Sequence, residues 1–121
     1  MEIGDWRLEI QSPISNLQSR LMELKELEAR MHAFVGSKGW YDPDSPKPQT
    51  PRNLAASLAI EAAEVLEHFQ WREDASEPEE LASELADVAL YLLQLASVSN
   101  IDLEEAILQK LAANHQREWP D

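Results

Sequence analysis

A chain of 121 residues with 44% hydrophobic and 27% charged side chains has room for one domain with a small core and none for a second. The absence of cysteine excludes disulfides, thiolate metal sites and cysteine nucleophiles. A formal net charge of −13 repels long polyanions and argues against general nucleic-acid binding, although a small phosphorylated ligand neutralised by metal ions remains compatible with it.

Residues 1–11 alternate weakly through Trp6, Leu8 and Ile10 and predict no more than a packed tail; the opening segment lacks the basic and apolar regions of a signal peptide. Ser12 and Pro13 read as an N-cap and a proline at the first helical position. Leu17, Leu21, Leu24, Met31 and Phe34 continue a helical period, giving a first helix of about 20 residues that ends near Gly36 and Gly39. Residues 41–49 hold Asp-Pro, Ser-Pro and Lys-Pro steps and predict a semi-rigid surface loop. Thr50 and Pro51 restart a helix to about Trp71. Residues 74–78 form a turn, Ser76 and Glu79 stand in capping-box spacing, and a third helix runs to about Ser99. Its stretch 88–96 is apolar nearly all round, so complete cover calls for a second subunit. Asp102, with Glu105 three residues on, opens a last helix through Leu103, Ala106, Ile107 and Leu111 that carries Lys110 and Asn114 at i,i+4 spacing. Three glycines and seven prolines, the prolines mostly between helical runs, fit an all-α chain, and no uninterrupted apolar run reaches the roughly 18 residues of a membrane span. A single cytoplasmic domain over residues 1–121, without membrane or nucleic-acid partners, is the expectation.

The chemistry lies in two acidic pairs, Glu61 with Glu64 and Glu84 with Asp87, on the second and third helices. With 23 acidic residues in 121, chance alone supplies about four acidic pairs at i,i+3, so position must carry the argument. At 100° per residue from Leu54, the residues Leu54, Leu58, Ala62, Val65 and Phe69 form the core stripe; Glu61 borders it at about −20° and Glu64 lies near −80°. On the third helix Glu84, Asp87 and Tyr91 fall within about 60° of one another, beside an expected core face of Leu81, Leu85, Val88, Leu92 and Leu95. Carboxylates at a core boundary are costly to desolvate unless a cation or a proton compensates them. A helical hairpin would bring all four together, and hard oxygen ligands of this kind suit Mg²⁺ (or Mn²⁺) and phosphate chemistry. A solvated acidic face is the plainer alternative.

Glu61-x-x-Glu64 leading to Phe69-Gln70-Trp71, Glu84-Leu85-x-Asp87-Val88 with Tyr91 four residues beyond the aspartate, Pro51-Arg52-Asn53-Leu54, Lys110-x-x-x-Asn114 and Trp119-Pro120 together resemble the MazG-type all-α nucleoside triphosphate pyrophosphohydrolases, most closely their dCTP pyrophosphatase branch. The resemblance covers about residues 14–120. It implies a four-helix bundle with an acid-bearing hairpin, assembled as a homotetramer. It further implies that Glu61, Glu64, Glu84 and Asp87 are catalytic and hold Mg²⁺, that Tyr91, Lys110 and Asn114 hold the triphosphate, and that His32, Trp40 and Trp71 surround the base. Core or interface packing would equally explain the two tryptophans, a helix-dipole role His32, and simple solvation Lys110. Two features depart from the family pattern: Ala63 replaces its usual glycine, and the loop 41–49 is longer and richer in proline, which reshapes the base pocket.

The implied reaction is Mg²⁺-dependent hydrolysis of a nucleoside triphosphate, dCTP or a modified dCTP, to the monophosphate and pyrophosphate, with Glu64 placed to orient the water. A dUTP or phosphoribosyl-ATP pyrophosphohydrolase and a non-catalytic helical oligomerisation module are the alternatives. A di-iron carboxylate bundle would need Glu three residues before a histidine, where His32, His68 and His115 have Ala29, Val65 and Ala112.

Overall fold

The computed structural model describes residues 23–75 and 77–120. The expected tail, the Ser12 cap and the first half of the first helix lie outside these. Four helices and no strand occur among the described residues: α1 (Leu24–Ser37), α2 (Pro51–Glu67), α3 (Pro78–Val98) and α4 (Leu103–Gln116). The all-α expectation holds. α2 and α3 form the most extensive helix pair, α1 lies against α3, and α4 makes a smaller contact with α3.

Local chemistry sets the boundaries. Thr50 caps α2, its Oγ1 accepting the Asn53 N–H at 3.2 Å with Pro51 at the first position. Asp102 caps α4, its Oδ1 accepting the Glu105 N–H at 3.1 Å. α3 starts at Pro78 with Glu77 as N-cap, one residue later than the Ser76–Glu79 spacing implies, and no side chain caps it. α2 stops at Glu67, short of the expected Trp71. Residues 68–71 form a turn in which Trp71 adopts φ 69°, a conformation uncommon for a bulky side chain. After α1, Gly39 takes φ 75°, where an added Cβ would meet Asp42 Oδ2 at 3.1 Å; this reversal brings Trp40 back against the core.

Met31 and Val35 of α1 and Leu93 of α3 form the buried cluster, with Leu24, Trp40 and Leu103 packed against it; Leu54 is 2% exposed. Four expected core residues stand differently. Ala62, Phe69, Leu85 and Leu92 are exposed in the single chain, and α3 instead buries Leu93, Gln94 and Ala96. An almost uniformly apolar run has no periodicity with which to choose a face, so packing against α1 and α2 makes the choice. By length and composition α3 could cross a bilayer, yet it carries Glu84 and Asp87 and packs on three other helices. α4 buries none of its residues.

Removing the cap and emptying the core test this packing. Thr50→Ala is expected to lower the free energy of urea unfolding by about 1 kcal/mol, with Thr50→Ser near wild type. Leu54→Ala should cost about 2–5 kcal/mol; a cost within about 0.5 kcal/mol, the usual range of a surface substitution, would contradict the burial.

Candidate functional site

The α2–α3 hairpin places the second half of α2 beside the first half of α3, and the two acidic pairs meet there. Glu61, Glu64, Glu84 and Asp87 are each half-buried. Burial pushes the Glu61 carboxyl above the usual range, and so do its hydrogen bond with Glu64 and the charges of Glu64, Asp87 and Glu84. Glu61 Oε2 is buried without a hydrogen-bond partner. Glu84 Oε2 is met by His68 Nε2 across the hairpin. Among the described residues no three acidic or imidazole groups converge on one point as ligands would around an ion. The donors are nevertheless all hard oxygens, and an orphaned buried carboxylate oxygen is what a divalent cation would satisfy. The residues fit Mg²⁺.

A cleft of about 580 Å³ adjoins the acids. Met31, Val35, Leu54 and Trp40 supply apolar walls, while Asp87 and Tyr91 line the same space. Trp40 meets Phe34 edge-on at 5.8 Å between ring centroids, and the Lys47 ammonium lies 5.4 Å from its own ring centre. One cavity thus runs from an aromatic wall to a member of the acidic cluster.

The other sequence-derived residues fall in different places. His32 does not line the cleft; its ring nitrogens lie 2.5 Å from the Tyr41 hydroxyl and 2.7 Å from Ser97 Oγ. Trp71 is 93% exposed and outside the cleft, at the end of the α2 turn. Lys110 and Asn114 are on α4, away from the cleft lining; the Asn114 carbonyl accepts the Trp119 indole N–H at 3.1 Å. Within one chain the four acids, Tyr91 and Trp40 therefore come together, and His32, Trp71, Lys110 and Asn114 do not join them.

Sequence reasoning missed His68, Tyr41, Gln49 and Gln94 as parts of the site. His68 stands four residues after Glu64, hence on the same helical side, which was a usable signal. Gln94 is the lone polar residue in the run 88–96 and is 3% exposed. A buried amide in an otherwise apolar stretch needs partners, and it has them in the loop: its Nε2 donates to Tyr41 Oη at 3.2 Å and to Gln49 Oε1 at 2.8 Å.

Comparison with known proteins agrees with this geometry. Residues 56–120 match the MazG-like family. The dCTP pyrophosphatase 1 of Rattus norvegicus is 37% identical over 98 residues, covering 73% of this chain and 55% of the relative. That of Homo sapiens is 36% identical over 98 residues with the same coverage. The chain thus spans about half the length of the curated relatives it matches. A pyrophosphatase from Archaeoglobus fulgidus DSM 4304 superposes with a TM-score of 0.63 at 38% identity, over 81% of this chain and 93% of the other. With the acidic hairpin in place and the family matched across its second half, the chain belongs to the MazG-like family.

Proposed function

We propose that this protein is a Mg²⁺-dependent nucleoside triphosphate pyrophosphohydrolase that cleaves dCTP, or a modified dCTP, between its α- and β-phosphates to give the monophosphate and pyrophosphate. The carrying observation is the continuity of the cleft, in which Trp40 and apolar walls share one cavity with Asp87 and Tyr91. A flat apolar base suits the first part and a metal-neutralised triphosphate the second. The names of the similar proteins support the same reading.

Glu61, Glu64, Glu84 and Asp87 would hold the metal. When bound, Mg²⁺ supplies charge stabilisation for the phosphoryl group and lowers the pKa of water. The protein's own share is positioning. Tyr91 lines the cleft beside Asp87 and would donate its hydroxyl proton to a phosphate oxygen. Glu64, hydrogen-bonded to Glu61, would orient the attacking water and accept its proton. Leu54, Met31 and Val35 exclude water from the base end.

Assembly as a homotetramer belongs to the proposal. Leu85, Leu90 and Leu92 of α3, Ile107, Leu108 and Leu111 of α4, and Trp71 are all exposed in the single chain. Apolar surface of that extent favours burial between copies, and such burial would give Lys110, Asn114 and Trp71 a route to a neighbour's site.

Two measurements test the reading. Mg²⁺-dependent release of pyrophosphate from dCTP is expected, falling about 100-fold or more in Glu61→Gln; full turnover in excess chelator would overturn it. The second concerns pH. An acid whose pKa is raised by folding holds its proton more tightly in the native state, so stability is present at low pH and is lost as pH rises from the ordinary carboxylate range through the raised value of Glu61. In chelator, Tm should fall across that interval. Glu61→Gln should flatten the fall and saturating Mg²⁺ should suppress it; an unchanged profile in the variant would contradict the repulsive cluster.

A further inference from the structure

Gln94 sits where a chain of hydrogen bonds crosses from the 41–49 loop to α1, and the polarity of that chain leaves little freedom. The Gln49 Nε2 donates to the Lys47 carbonyl at 2.7 Å, so Gln49 turns its Oε1 toward α3. Gln94 must answer with its amide nitrogen, which donates to Gln49 Oε1 at 2.8 Å and to Tyr41 Oη at 3.2 Å. The His32 tautomer with its proton on Nε2 completes the chain, Tyr41 Oη donating to Nδ1 at 2.5 Å and Nε2 donating to Ser97 Oγ at 2.7 Å. Burial holds the Tyr41 phenol above its usual pKa, in keeping with its role as a donor.

Both amide hydrogens of Gln94 are therefore committed, and the residue lines the cleft. The atom left for a ligand is Oε1, which can only accept. We propose that Gln94 is a specificity-determining residue whose Oε1 reads an exocyclic amine on the nucleotide base, the N4 amine of cytosine or the N6 amine of adenine. The proposal rests on the pyrophosphohydrolase reading of the cleft and deepens it. The same network anchors the loop, so that Lys47 and Gln49 form a fixed wall beside Trp40. A base without a donor at that position would leave the amide oxygen desolvated and unpaired, a cost that hydrogen-bonding sites turn into discrimination.

The test compares kcat/KM for dCTP with that for the triphosphate of 2-pyrimidinone deoxyriboside, which has hydrogen in place of the amino group. Wild type is expected to favour dCTP by about tenfold to a hundredfold. Gln94→Leu should bring the two within about threefold, chiefly by losing dCTP turnover. A purely structural role for Gln94 would lower both constants together and keep their ratio, which would overturn the proposal. So would a wild-type enzyme that treats the two alike, a result that needs no variant to fold. Parallel assays with dATP and dUTP separate the two amine sources; a preference for dUTP over both amine-bearing nucleotides would also overturn it. Wild type that hydrolyses none of these triphosphates would reject the pyrophosphohydrolase reading itself, and this inference with it.

Discussion

Four carboxylates facing one another across two packed helices cannot all be charged and buried without compensation, and much of this molecule follows from that. Glu61 stands at the centre: burial first, then its hydrogen bond to Glu64 and the charges of Glu64, Asp87 and Glu84, raise its proton affinity, and one of its oxygens is buried with no partner. The hairpin that creates the repulsion is also the most extensive helix contact in the fold, so α2 and α3 hold the acids together against it. His68 meets Glu84 from the same hairpin. A site arranged in this way stores a demand for positive charge, which hard divalent cations would meet.

The second constraint is the anchoring of the 41–49 loop. A proline-rich connection has few backbone donors with which to secure itself. Here side chains do so, through Gln49, Gln94, Tyr41, His32 and Ser97, and tie α1, the loop and α3 into one unit. That unit frames the apolar end of the cleft, whereas Asp87 brings the acidic cluster to its other side. Electrostatics and shape are thus carried by different elements that share α3.

Much of this was legible beforehand, for identifiable reasons. Thr50-Pro51 and Asp102 with Glu105 announced their helices because capping is local chemistry, and the structure shows both caps. The two acidic pairs were legible as partners because i,i+3 spacing fixes a shared face and a short turn fixes a hairpin. The packed face of α3 was not legible: nine nearly all-apolar residues give no phase, and Leu85 and Leu92 proved exposed where Leu93, Gln94 and Ala96 are buried. Resemblance implies that His32 and Trp71 surround the base; within one chain His32 bonds with Tyr41 and Ser97, and the turn after α2 leaves Trp71 exposed. Those outcomes depend on contacts between distant segments, which spacing cannot encode.

The account depends most directly on the acids acting as a cation site, and titration of the metal-free protein with Mn²⁺, followed by the paramagnetic signal of the free ion, addresses that alone. Saturable binding that is lost or strongly weakened in Glu61→Gln is the predicted result. Free Mn²⁺ rising in proportion from the first addition, or identical titrations of wild type and variant, would contradict it.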